Sequence, residues 1–105
     1  MPSAICFIEK SDGIRVLDKS TWLCESGDWI VSEAKAADLV GKRIYFLESQ
    51  AGESHYGGVI QGYRVLPDDH PTAARRVVFT FTADNALRGF RPGPDGWGME
   101  QKSID

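Results

Sequence analysis

The sequence has little of what catalytic and metal sites are usually built from. Its 105 residues include two cysteines and two histidines. Cys6 and Cys24 are far apart and have no second cysteine or histidine beside them, so neither a disulfide framework nor a zinc site is indicated. His55 and His70 lie in loops rich in glycine and proline, where a histidine is usually just solvated. We therefore predict no enzyme, no catalytic residues, no metal and no cofactor; a Cys24 and His55 pair is the catalytic alternative, and nothing in the sequence brings the two together.

Long apolar runs and a basic excess are lacking too. No stretch approaches the roughly 18 apolar residues of a membrane span, and no basic N-terminal region precedes an apolar core. We expect no membrane contact and a cytoplasmic location. Twelve basic against 15 acidic residues give a net charge of -3, which argues against holding duplex nucleic acid mainly by phosphate neutralisation. Basic residues still cluster locally, which is compatible with a basic face: Lys42 with Arg43, Arg75 with Arg76, and Arg88 with Arg91.

What is present is typical of a globular protein. Hydrophobic residues make up 42% and charged residues 26% of the chain, which fits a packed core rather than a disordered tail. The length suits one core, and no repeat, linker or low-complexity run divides it. We predict a single domain over residues 1–105.

Alternation of apolar and polar residues predicts a mainly β fold. The first two strands are expected to pair as a hairpin, and Gly62 predicts a bulge or bend within the fourth. The glycine-rich tail around Phe90 and Trp97 should fold back to cover these rings and end in a last strand over 97–104. The other strands are predicted at 4–9, 14–18, 43–48, 58–66 and 76–83.

One short helix is predicted for the alanine-rich run SEAKAADLV. Ser32 is a suitable N-cap, and Gly41 most easily adopts the left-handed conformation that ends a helix. Ala34, Ala37 and Val40 fall near one face, which we expect to lie against the sheet.

Trp22 and Trp29 lie in the polar stretch STWLCESGDW before this helix. An indole held by a mobile loop can stack on a flat ligand such as an unpaired base. The alternative is that these rings, like Tyr56, pack in the core or at its rim.

The run LVGKRIYFLESQAGESHYGGVIQGYRVL resembles the core of the PUA-like superfamily, particularly EVE domains, whose relatives include YTH and ASCH domains. The similar elements are the glycine and basic pair at 41–43, the strand 44–48 followed by Ser49, the glycine-rich strand 57–66 and the strand 77–81. Trp22 precedes them where EVE domains carry a tryptophan. The match covers about half of the chain, residues 22–83.

This resemblance implies an α+β, mainly β pseudo-barrel of about five to six strands with one short helix. It also implies a pocket that accepts a modified or unpaired nucleobase from single-stranded or flipped-base DNA or RNA. The tryptophans would stack on the base, the loop after residue 47 would bind its edge, and basic residues would meet phosphate. The predicted ligand-binding residues are Trp22, Trp29, Glu48, Ser49, Gln50, Tyr56 and Arg64, and the predicted backbone contacts are Lys42, Arg43, Arg75 and Arg76.

A small interaction or inhibitor protein is the alternative from a different class. The acidic total, the short length and the aromatic tail motivate it, and its ligand would be a protein partner. An enzyme on the same barrel, directed at nucleotides, is a third reading.

Overall fold

The computed structural model describes residues 3–9, 14–66, 76–98 and 101–104, which form one seven-stranded sheet and one α-helix. The mainly β class with one short helix is confirmed, although the strands outnumber the five to six predicted. No helix in these ranges has the length and apolar character needed to cross a membrane. The strands are β1 (Ala4–Ile8), β2 (Ile14–Asp18), β3 (Leu23–Ile30), β4 (Arg43–Leu47), β5 (Ser54–Val65), β6 (Arg76–Ala83) and β7 (Gln101–Ile104); the helix α1 is Glu33–Leu39, and a 3₁₀ turn covers Asn85–Leu87.

The sheet is open but strongly curled. Its order is β2-β3-β6-β5-β4-β1-β7, and β1 and β4 form its parallel pair. The outer strands β2 and β7 do not pair with each other in the described ranges. Nevertheless, the side-chain amide of Gln101 in β7 donates a hydrogen bond to the carbonyl of Ile30 in β3, at 2.8 Å. The rings of Phe7 in β1 and Trp29 in β3 stack with centroids 4.1 Å apart. The two ends of the sheet therefore face each other across the core.

Apolar clusters cover both faces of β4. Ile44 and Phe46 point into the main core, whereas Tyr45 and Leu47 point into a smaller cluster on the other face. This alternation is that of a strand buried on both faces. The main core contains buried rings from four strands: Phe7, Trp29, Phe46, Phe79 and Phe81.

Helix α1 has the predicted ends but not the predicted buried face. The side chain of Ser32 accepts a hydrogen bond from the backbone N–H of Lys35, and Gly41 leaves the helix with a φ of 87°. Ala36 and Leu39 are the buried residues, because Leu39 has the largest apolar side chain of the helix and Ala36 lies one turn before it. The residues expected to face the sheet are exposed: Ala34, Ala37 and Val40.

The predicted pairing of the first two strands is wrong, and so is the loop expected before the helix. β1 pairs with β4 and β7, and β2 pairs with β3, so the first two strands form no hairpin. The polar stretch before the helix is the strand β3, which lies between β2 and β6. Its inward face includes Cys24 and Ser26, both fully buried. Because these side chains are small or polar, the sequence shows no alternation of apolar residues that would predict a strand here. The bulge at Gly62 is confirmed by a register shift between β5 and β6.

The tail folds back onto the smaller cluster, as predicted. Phe90 stacks on Tyr45 with centroids 4.2 Å apart. The indole N–H of Trp97 donates to the carbonyl of Gly93 at 2.8 Å, and the ammonium of Lys102 donates to that of Pro92 at 2.8 Å. These contacts fix residues 90–97 against the sheet, and the chain ends in β7 within the predicted range.

Candidate functional site

Three surface cavities follow one another along residues 88–90. We name them, in this order, the aromatic, acidic and basic cavities. Arg88 lines the aromatic and acidic cavities, Gly89 lines the acidic cavity, and Phe90 lines the basic cavity. The aromatic cavity, of about 270 Å³, is lined by Trp22, Tyr56, Ala83, Asn85 and Arg88. The acidic cavity, of about 510 Å³, is lined chiefly by Glu48, Ser49, Glu53, Ser54, His55 and Arg88. The basic cavity, of about 340 Å³, includes Ser3, Gly41, Lys42, Arg43, Tyr45 and Phe90.

Trp22 is held at the aromatic cavity in a strained conformation. Its φ is 57°, in the left-handed region that a side chain other than glycine occupies at a cost. Its carbonyl accepts hydrogen bonds from the backbone N–H of Ala83, at 2.9 Å, and from the thiol of Cys24, at 3.5 Å. Its side chain nevertheless stays 54% exposed. A strained backbone therefore holds a large, exposed ring at the aromatic cavity.

Tyr56 of β5 joins the aromatic cavity to the core. Its ring meets the ring of Phe81 edge-on with centroids 6.0 Å apart, and its hydroxyl lies 3.6 Å from the sulfur of Cys24. Burial, with a further contribution from Cys24, raises the pKa of Tyr56 to about 12. The hydroxyl is therefore protonated at neutral pH. The guanidinium carbon of Arg88 lies 5.8 Å from the centre of this ring, within cation–π range.

The position of Arg88 is fixed by Ser54, a buried serine at the start of β5. The Ser54 hydroxyl donates to the carbonyl of Leu87 at 2.6 Å and accepts from the N–H of Phe90 at 2.9 Å. Its backbone also exchanges hydrogen bonds with Gly89 and Phe90, each at 2.8 Å. Within the described ranges the Arg88 guanidinium has no carboxylate partner. It is therefore a cation held in place and left available to a ligand.

The acidic cavity is rich in hydrogen-bond acceptors. Glu53 pairs with Arg91 at 3.4 Å, whereas the carboxylate of Glu48 has no partner among the described residues. Nε2 of His55 lies 2.7 Å from the carbonyl of Glu9. Because a carbonyl only accepts, this nitrogen carries a proton and donates it to the hydrogen bond. No group of three or more His, Cys, Asp or Glu that could hold a metal ion occurs in the described part of the chain.

The structure brings four of the predicted ligand-binding residues to adjoining cavities. Trp22 and Tyr56 line the aromatic cavity, and Glu48 and Ser49 line the acidic one. Gln50 is exposed and lines neither. Of the predicted backbone contacts, Lys42 and Arg43 line the basic cavity, Arg76 is exposed at the start of β6, and Arg75 lies outside the described residues.

Trp29 does not belong to this site. It is 6% exposed, one face of its ring stacks on Phe7, and its indole N–H donates to the hydroxyl of Ser26 at 3.3 Å. The physical reason is that residues 23–30 form a strand whose register shifts between Ser26 and Trp29. This irregularity, rather than simple alternation, turns the ring to the same inward face as Ser26.

Arg64 also lies apart from the cavities. Its guanidinium is 3.6 Å from a carboxylate oxygen of Glu25, at the opposite end of β5 from Tyr56. The other oxygen of Glu25 accepts from Arg15, and this hydrogen bond lowers the pKa of Glu25. Arg64 therefore belongs to a surface cluster of charges with Glu25 and Arg15.

Ala83 and Asn85 of the aromatic cavity were not predicted, and Arg88 was noted only as part of a basic pair. They come together because the side chain of Asp84 accepts from the N–H of Ala86 at 2.9 Å and caps the 3₁₀ turn. An aspartate before a short polar run is the signal that predicts such a turn.

No family model, curated protein or solved structure matches this chain. Membership of the PUA-like superfamily stays a prediction from the sequence.

Proposed function

We propose that this domain is a binding module, not an enzyme, and that its aromatic cavity takes a modified or unpaired nucleobase. The observation that carries the proposal is the exposed indole of Trp22, which a strained backbone holds beside Tyr56 and Arg88. Among the described residues this arginine has no carboxylate partner. We also propose that the curled sheet is a pseudo-barrel, as the resemblance to EVE domains implies. The hydrogen bond between Gln101 of β7 and Ile30 of β3 supports this.

The aromatic cavity offers the two kinds of contact that an unpaired base needs. Stacking of a base on an aromatic side chain contributes about 1–3 kcal/mol, and Trp22 is the exposed ring at this position. The amide of Asn85 and the guanidinium of Arg88 supply donors and an acceptor for a base edge. None of the lining residues is acidic, so a base next to a phosphate is not repelled there.

The order of the cavities suggests a path for the nucleic-acid backbone. A strand that follows residues 88–90 passes from the aromatic cavity to Lys42 and Arg43 in the basic cavity. These two cations have no acidic partner in the described ranges, and such residues position a backbone without reading its sequence.

The test is a titration with labelled single-stranded oligonucleotides, plain and methylated, at low salt. We expect saturable binding that Trp22→Ala weakens by about tenfold or more, since an aromatic stack of about 1–3 kcal/mol is lost. Leu17→Ala is the matched control, because Leu17 is also about half exposed but lies on β2. Absence of binding, or equal binding by the Trp22→Ala variant, would remove the proposal.

A protein partner is the second candidate, and the edge strand β2 is the observation that favours it. Among the described strands, β2 pairs with β3 on one side only, and it exposes Val16 and Leu17. An open edge of this kind accepts an added strand. A stoichiometric protein recovered on the wild-type domain and lost with Val16→Pro, together with failure to bind oligonucleotides, would favour this function.

A further inference from the structure

The acidic cavity differs from its neighbours in the hydrogen bonds it offers. Its wall contains the carboxylates of Glu48 and Glu53, the hydroxyl of Ser49 and the ring of His55, whose Nε2 faces the carbonyl of Glu9. A group that enters this cavity is therefore bound best if it brings donors. A phosphodiester brings only acceptors, which the two carboxylates cannot pair with.

The charges around the acidic cavity further limit the kinds of ligand that fit it. Glu53 is paired with Arg91 at 3.4 Å, and Arg88 stands in the same wall as Glu48. The two acids are thus offset by two bases, and the cavity has no excess charge that would favour an amine. Neutral hydroxyl groups, which donate to carboxylate acceptors, fit best.

The acidic cavity also adjoins the proposed base site, since Arg88 lines both. We infer that the acidic cavity binds the ribose of the nucleotide whose base occupies the aromatic cavity, and that the domain therefore selects RNA over DNA through the 2′-hydroxyl. This inference rests on the proposed function and gives it a ligand class. Within an RNA strand the 2′-hydroxyl is the hydroxyl of the ribose that remains free to donate a hydrogen bond, and it is the group that distinguishes RNA from DNA.

The experiment compares one unstructured single-stranded sequence made as ribo-, deoxyribo- and 2′-O-methyl oligonucleotide, titrated under identical salt. We expect the ribo form to bind about tenfold more tightly than the other two, the factor that one hydrogen bond to a charged acceptor supplies. The 2′-O-methyl form separates the hydroxyl's donor from the RNA sugar conformation. Glu48→Ala should bring the ratio of RNA to DNA affinity close to one.

Asp38→Ala is the charge-matched control. It removes one negative charge from α1, which precedes β4, whereas Glu48 follows the other end of that strand. We expect it to leave the affinity ratio unchanged, even if both affinities rise slightly.

Equal binding of the three oligonucleotides, or tighter binding of DNA, would overturn the ribose inference while the base site stands, provided that Trp22→Ala still weakens binding. A ratio unaffected by Glu48→Ala would overturn the role of the acidic cavity. Failure of all three to bind would remove the proposed function as well.

Discussion

The guanidinium carbon of Arg88 lies 5.8 Å from the centre of the Tyr56 ring, where the aromatic and acidic cavities meet. The Tyr56 side chain also reaches the core through its edge-on contact with Phe81. The available cation is therefore placed by a buried framework, and a ligand that binds it meets a surface already in position.

The strained backbone of Trp22 leads to a prediction that separates stability from binding. Trp22→Gly and Trp22→Ala remove the same indole, but only glycine adopts the φ of 57° without strain. We expect the Trp22→Gly protein to be more stable than the Trp22→Ala protein by about 1 kcal/mol, measured by urea unfolding. Both should lose oligonucleotide affinity equally; equal stabilities would show that this residue is not strained.

The buried tryptophan should behave in the opposite way. Trp29→Ala removes a ring that stacks on Phe7 in the main core, and we expect a loss of about 3–5 kcal/mol in the free energy of unfolding. Trp22→Ala is the control, since it deletes the same side chain from an exposed position. A loss below that of Trp22→Ala would contradict the placement of Trp29.

Ser54 should affect binding without touching a ligand base. Ser54→Ala leaves the carbonyl of Leu87 and the N–H of Phe90 without their partner, at an expected cost of about 2 kcal/mol in stability. Oligonucleotide affinity should also fall, because Arg88 lies between these two residues. Ser103→Ala, on an exposed residue of β7, serves as the control and should change neither quantity.

Alkaline pH should destabilise the fold through Cys6. Burial raises the pKa of this thiol from 9.0 to about 12, so the folded chain keeps a proton that the unfolded chain releases in this interval. The stabilisation is complete below pH 9 and is lost as the pH rises toward 12. Urea midpoints measured across this range should decline less steeply in Cys6→Ala; an identical slope would show that Cys6 has no part in it. Tyr56, whose pKa is also raised to about 12, contributes in the same direction in both proteins.

The sequence predicts this fold best where apolar periodicity is strong. β6 alternates as expected, with Phe79 and Phe81 in the main core, and Ser32 and Gly41 mark the ends of α1. It predicts β3 poorly, because the buried side of that strand includes Ser26. Pairing of β1 with β4 and β7 depends on contacts between distant parts of the chain, which local patterns do not encode.

The residues of the candidate site were likewise predicted only in part from the sequence. Trp22 and Glu48 were predicted from their place in a resemblance, and each lines a cavity. Trp29 could not be told from Trp22 by composition. Trp22 precedes β3, whereas a register shift within β3, which no local pattern marks, turns Trp29 inward. Asn85 was not predicted, because a 3₁₀ turn and not a sequence motif brings it to the aromatic cavity.

The most direct test of the central claim is the ¹H–¹⁵N spectrum of the three tryptophan indoles during titration with a single-stranded oligonucleotide. We predict that the Nε1–H signal of Trp22 shifts in a saturable manner, while that of Trp29, hydrogen-bonded in the core, stays in place. A titration that saturates with the Trp22 signal unmoved, or one that shows no binding, would contradict the claim that this indole receives the base.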